Sequence, residues 1–364
     1  MKRIMPIGSA SLAAAGLLLS AGSFAQTTTV TAELPPKSEA TQRIKGEQLK
    51  AIKDVGRLAL TSCNVLFGVQ TTADASTQRG FGDSSQRIDA KVSVYYSLQG
   101  IDDAAFQQLA DAICRDASAT LASAGYQMVG DDEMAAAAEF TALHQSGKPT
   151  PYALERGASS YRLFAPAGQQ VIDPYYMGKA DSMLGSFKAM STDGPMFREA
   201  RLMKALGASG AHLNLLVDFA EPRSNSAKGF LGRLSGNDVA KVEAKLQLSV
   251  TGFMTMVPEY RIDCSSGFCQ GANDARLVAR LSSSDPLLAD ANAVQSIVDV
   301  QSKGEKAGLT AVNMLAGAMA LAGHSTSTTS VTRNGVVLDP VIYADEVRRL
   351  AQRFVADAAV TARP

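Results

Sequence analysis

From Ala240 to Val250, apolar and polar residues alternate without a break. Ala240, Val242, Ala244, Leu246, Leu248 and Val250 fall on one side, and Lys241, Glu243, Lys245, Gln247 and Ser249 on the other. A period of two sends successive side chains to opposite faces of a strand. The stretch "DVAKVEAKLQLSVTGFMTMV" is therefore expected to be one long strand with an inward face and a wet face. "QRIDAKVSVYYSLQG" repeats the pattern, with Ile88, Ala90, Val92, Val94, Tyr96 and Leu98 set against Asp89, Lys91, Ser93 and Ser97. Strands with one solvated face belong to antiparallel and mixed sheets. The expected class is α+β: a mixed, mostly antiparallel sheet with helices packed on one side.

The remaining patterns fit that class. "GRLALTSCNVLFGVQT" is a β-rich run in which Ala59, Cys63, Val65, Phe67 and Val69 form one set. "DDAAFQQLADAICRDASATLASAGY" predicts an acid-started helix. Phe106, Leu109, Ala110, Ile113, Ala117 and Leu121 recur at helical spacing, and Gly125 stops it. "REARLMKALGASGAHLNLLVDFAE" reads as helix, glycine turn and strand, with Gly207 as the C-cap. A strand near "TSVTRNGVVLDP" and a final helix with Val347, Leu350, Ala351, Phe354, Val355 and Ala358 on one stripe end the chain. Residues 26–41 are Thr-rich with a Pro pair, which predicts a disordered leader. The sheet domain is expected over 42–262, with a long irregular insertion at 149–195. Residues 263–364 are expected to complete the same domain.

The N-terminus points to a compartment. Lys2 and Arg3, an apolar run from Ile4 to Ser20, and Ser23-Phe24-Ala25 have the order of a secretory signal peptide cleaved near Ala25. A periplasmic or secreted protein is therefore expected. Cys63, Cys114, Cys264 and Cys269 are an even set for an oxidising compartment. Cys264 and Cys269 flank the turn Ser-Ser-Gly-Phe and are expected to pair. That leaves Cys63 with Cys114, which lies beside the apolar stripe of its helix. Zinc or redox chemistry fits worse, because the spacing is not Cys-x-x-Cys and no histidine is near in sequence. No metal or cofactor is expected.

Lys+Arg and Asp+Glu each number 35, a balance that disfavours nucleic acid as a partner. From Ala307 to Gly323 the chain is apolar for 17 residues, short of the ~20 that a spanning helix needs, and Thr310 and Asn313 interrupt it. It is expected to be a buried or partner-packed helix, with no transmembrane span in the mature chain.

Known catalytic fingerprints are missing from the sequence: there is no Gly-x-Ser-x-Gly elbow, His-Glu-x-x-His pair, P-loop or dinucleotide turn. His212, Asn214 and Asp218 would share one face of "HLNLLVDF". They would form a site, the wet face of a sheet or a satisfied hydrogen-bond pair, and His212 and Asp218 are the catalytic candidates. Asp102 and Asp103 read as a helix start. "SNSAKGFLGRLSGN" sets Phe230 and Leu231 between glycines and next to Lys228 and Arg233, a loop that either docks a partner or a lipid surface or folds Phe230 back over the sheet.

"LMKALGASGAHLNLLVDFAE" followed by "VAKVEAKLQLSVTGFM" resembles the periplasmic α/β module of the curli-secretion-channel lipoprotein family, shared by the lipoprotein activators of peptidoglycan synthases. The resemblance covers roughly residues 50–260. It implies a scaffold or adaptor of the cell envelope, and no functional residue carries over. The expected function is a non-catalytic binding or assembly protein acting as a homo-oligomer or on an envelope partner. The alternative is an envelope hydrolase with a site near residues 150–195 and His212/Asp218.

Overall fold

The structure, a computed structural model, describes residues 33–76, 88–172, 195–225, 241–257, 278–321 and 326–363. The chain enters through α1 (Lys37–Arg43) and β1 (Ile44–Glu47), then forms β2 (Arg57–Ser76), β3 (Ile88–Gln99) and α2 (Asp103–Ser123). A short β4 (Gln127–Met128), α3 (Asp131–Ala136) and α4 (Ala138–Gln145) lead to a hairpin of β5 (Tyr152–Arg156) and β6 (Ser159–Phe164). Next come α5 (Pro195–Leu206), β7 (Ser209–Asp218), β8 (Glu221–Asn225), β9 (Lys241–Lys245) and β10 (Ser249–Val257). After β11 (Ala279–Ser283) and β12 (Leu287–Leu288), the last part is β13 (Val294–Asp299), α6 (Lys303–Leu321), β14 (Thr326–Leu338) and α7 (Pro340–Ala362).

One sheet runs β1-β11-β10-β7-β2-β3-β14-β13, with β4 and β6 on β2, β5 on β6 and β12 on β10. The pairs β2–β7, β2–β4 and β3–β14 are parallel, and the others are antiparallel. This is the α+β mixed sheet that the alternating runs imply.

The two long helices form because their ends are capped and one stripe is apolar. The Asp102 carboxylate accepts from the Ala105 N–H at 2.8 Å, and Gly125 ends α2 at φ +90°. Asp339 caps α7 in the same way, with Pro340 in its first turn. All six stripe residues named above in each helix are buried, against β2, β7, β10 and β11. Each such side chain contributes about 1.5–3 kcal/mol by leaving water. Phe67 stacks on Phe106 with centroids 4.5 Å apart, and Phe164 and Tyr343 close the cluster. Gly252 lets α7 lie down on the sheet, since a Cβ there would stand 2.3 Å from the Phe354 ring.

Three polar ties hold these layers. Cys63 of β2 and Cys114 of α2 form the expected disulfide, with Cα atoms 6.0 Å apart. Buried Asp116 accepts from Arg348 at 2.7 Å and from Gln352 at 3.0 Å, joining α2 to α7. Buried Asp357 accepts two bonds from Arg43 at 2.7 Å, joining α7 to α1. A second, smaller layer of α3, α4 and α5 covers one end of the opposite sheet face, through Leu143, Leu202, Leu206 and Ala59.

Three expectations change. The leader expected to be disordered to residue 41 gives way to α1, because Arg43 reaches the buried Asp357 and Lys37 donates to the Arg363 carbonyl. The single long strand breaks between Lys245 and Ser249. β7 pairs with β10 up to Asp218–Ser249, and β8 pairs with β9 from Glu221–Lys245 in a separate ribbon, so both chains bend at the same level. Residues 152–164 of the expected irregular insertion are the β5–β6 hairpin, which turns at Gly157 (φ +62°) and pairs with β2. The helix expected at 306–323 is present as α6 over its described residues 306–321, and it lies along β14 with Ala307, Thr310, Ala311 and Met314 exposed. The Asn313 amide donates to the Thr329 carbonyl at 3.0 Å and its oxygen accepts the Thr329 N–H at 3.1 Å, so a side chain guards the edge that β13 leaves uncovered. No described helix is long and apolar enough to cross a membrane. The signal segment and the Cys264–Cys269 pair lie outside the described residues.

Two stability measurements follow from these ties. Replacing both Cys63 and Cys114 by Ala frees a loop of 51 residues' separation and should cost roughly 4 kcal/mol, read as a lower urea midpoint. Arg43→Met strands the buried Asp357 carboxylate and should cost about 3–5 kcal/mol; an unchanged melt would mean that Asp357 finds another partner.

Candidate functional site

The polar residues of β7 face the second layer. On α5, Glu199, Leu202, Met203 and Leu206 share one stripe, so a carboxylate sits among core residues. Gly210 makes room for it: a Cβ there would lie 2.7 Å from Met203 Sδ and 2.8 Å from Glu199 Oε1. The helix ends in a Schellman motif, with Gly207 at φ +56° and the Ala208 N–H bonded to the Met203 carbonyl at 3.1 Å. That turn sends the chain straight into β7 and brings His212 under Glu199.

Both His212 Nε2 and Thr61 Oγ1 donate to Glu199 Oε1 at 2.5 Å, and all three residues are buried. Thr61 is the extra residue of a register shift between Leu60 and Ser62, where β2 passes β7. Two positions along, Asn64 Nδ2 donates to Asn214 Oδ1 at 3.0 Å and to the Ile172 carbonyl at 3.1 Å. His144 comes in from α4, its Nδ1 3.2 Å from both the amide nitrogen and the carbonyl oxygen of Gln170, with Phe140 edge-on. Burial pushes the His144 pKa below the ordinary histidine value. The Gln170 and Thr61 carbonyls partly oppose that push, and a charge on His212 would add to it.

His212 and Asp218 do not meet. Six residues of extended strand separate them by about 20 Å. Asp218 accepts instead from the Tyr161 hydroxyl at 3.0 Å. The strand face holds a set of buried hydrogen bonds in which Asn64 Oδ1 and Asn214 Nδ2 have no partner among the described residues, and His212 and Asp218 do not converge on one point. Glu199 is the residue that sequence reading passed over, although its place on the Leu202–Met203–Leu206 stripe is visible in "REARLMKAL". Among the described residues no cluster of His, Cys, Asp and Glu is arranged to hold a metal. Lys228, Phe230, Leu231 and Arg233 lie outside the described residues.

A groove of about 370 Å³ separates α1 from α7, lined by Glu33, Glu39, Arg43, Arg349, Arg353 and Asp357. Its charges are balanced and largely paired within the fold, Arg43 to Asp357 and Arg349 to Glu346 and Asp290.

The accessible apolar surface gathers elsewhere. Of the eight large apolar side chains exposed among the described residues, Ile297, Val298, Val300, Val341 and Ile342 lie at one sheet edge. Val341 and Ile342 follow Asp339, whose N–H donates to the Ala293 carbonyl at 2.8 Å and whose carboxylate accepts from Gln295 at 3.2 Å, at the start of β13. Ile297 and Val298 are neighbours on a strand, so both faces of this edge are apolar.

The buried layer makes a pH measurement informative. With its folded-state pKa depressed, His144 supports the fold fully above the ordinary value of about 6.5, and that support is lost as pH falls through the folded-state pKa. Denaturant melts from about pH 7.5 to about pH 5 should show the native chain losing stability relative to His144→Gln. A difference that stays constant across that window would overturn the assignment.

Comparison with known proteins finds no matching family model, no similar curated protein and no similar solved structure.

Proposed function

We propose that the chain is a non-catalytic binding or assembly protein that works outside the cytoplasm, in the periplasm or secreted, and docks partners at the open edge of its sheet. The observation that carries this reading is β13, an edge strand with apolar side chains exposed on both faces beside the apolar first turn of α7. Soluble proteins ordinarily blunt such edges, so a bare apolar one marks a pairing site. The compartment is supported by the buried Cys63–Cys114 disulfide, a bond that persists in oxidising surroundings, and by the basic, apolar and small-residue order of Lys2 to Ala25. The resemblance of residues 50–260 to envelope lipoprotein modules supports a scaffold or adaptor role. The loop with Lys228, Phe230, Leu231 and Arg233 is a second docking point in this reading.

The test is photo-crosslinking in the producing cell. A photoreactive residue at position 297 should trap protein adducts, whereas one at the exposed Lys50 should not, and the adducts should come from the periplasmic or secreted fraction. Position 297 trapping no more than position 50 would sink the reading.

A further inference from the structure

The geometry points to a second copy of this chain as the occupant of the β13 edge, paired with it antiparallel about a two-fold axis at Ile297. This rests on β13 being the docking edge and names the partner.

The backbone decides which groups are on offer. The Val300 N–H donates to the Arg333 carbonyl at 3.0 Å. Peptide groups alternate sides along a strand, so Val298 also turns toward β14, while Ile297 and Asp299 turn their N–H and C=O outward. No strand among the described residues pairs with that outer edge. A register shift between Val294 and Ser296 leaves Ser296 to Val300 as the regular stretch.

The side chains decide which partner fits. Lysine and proline, the residues that usually blunt an edge, are absent from "VQSIVDV". An antiparallel copy centred on Ile297 places Ile297 against Ile297, Val298 against Ser296 and Val300 against Val294. The one charge of the strand, Asp299, then faces Gln295 of the other copy at the bulge. Ile297 meets Ile297 and Val300 meets Val294, and the two carboxylates stay apart at opposite ends of the seam. Centring on Val298 would instead set Ile297 against Asp299. The opposite sheet edge makes a poor partner: β1 is four residues long, with Lys45 and Glu47 exposed, and a β13–β1 contact would be head-to-tail and non-closing. A two-fold pair closes on itself. The apolar first turn of α7, with Val341 and Ile342, flanks the seam and enlarges it.

A seam of one short strand and its flanks is smaller than the ~1,600 Å² of a standard interface, so the pair should dissociate on dilution. Sedimentation of the mature chain should show a concentration-dependent shift from monomer to dimer. Ile297→Lys should remain monomeric over the same range with an unchanged melting temperature, because Ile297 is 54% exposed. Ile297→Cys, with Cys264 and Cys269 replaced by Ser, should form a symmetric disulfide dimer on mild oxidation, and Gln295→Cys in that background should not. A wild-type chain that stays monomeric up to about 1 mM overturns the inference, as does an Ile297→Lys chain that still dimerises. If the wild type is monomeric while position 297 traps a different envelope protein, the pairing with a second copy fails and the docking edge stands.

Discussion

The backbone ladder of β2 is the constraint on which the rest of the structure depends. One strand pairs with β7, β3, β6 and β4, so every part of the sheet is referenced to it. The same strand supplies Cys63 to the disulfide, Phe67 to the aromatic cluster, and Thr61 and Asn64 to the polar layer. Its two faces therefore carry different chemistry. One packs α2 and α7 through apolar contact, and the other meets α4 and α5 partly through hydrogen bonds.

That second face holds a group of polar side chains inside the fold. Glu199, His212, Thr61, Asn64 and Asn214 bond mainly to one another, and such bonds are strong where water is excluded. Removing one member leaves its partners stranded, so the layer specifies a single docking of α5 on β7. The chemistry offered to the outside is of another kind: open backbone groups and bare aliphatic side chains along β13.

Much of this is legible in the residues. Period-two alternation locates β3 and the β9–β10 run, capped amphipathic stripes locate α2 and α7, and parity with strand–helix placement pairs Cys63 with Cys114. What escapes is what depends on distant partners. Arg43, just past the segment read as a disordered leader, shows no role in the sequence until Asp357 is found 314 positions away. The alternation of Tyr152 and Leu154, then of Tyr161 and Leu163, is present in the sequence but has meaning only once β6 lies beside β2. Ala59 reads in phase with Cys63, Val65 and Phe67. The extra residue at Thr61 reverses the phase, so Ala59 faces the second layer and Leu58 the main core. A bulge cannot be counted from periodicity, because it is the place where periodicity slips. For the same reason His212 is recognisable as polar on an apolar strand, whereas its bond to Glu199 requires the turn at Gly207.

The order of strands also sets an order of events. β14 follows β3 by 326 − 88 = 238 positions, yet it lies beside it inside the sheet, parallel over twelve consecutive register positions from Thr326–Ile88 to Val337–Gln99. Until that segment has been synthesised, β3 has one side unfilled, and α7, which covers the main core, does not yet exist. Contacts of such long sequence separation slow folding, because the closure entropy of a long loop comes before any reward. Before β14 arrives, β3 is an open edge, and β13, which among the described residues pairs with β14, has nothing to join. Loss of β14 would therefore detach β13 from the sheet as well as bare β3, rather than trim a margin.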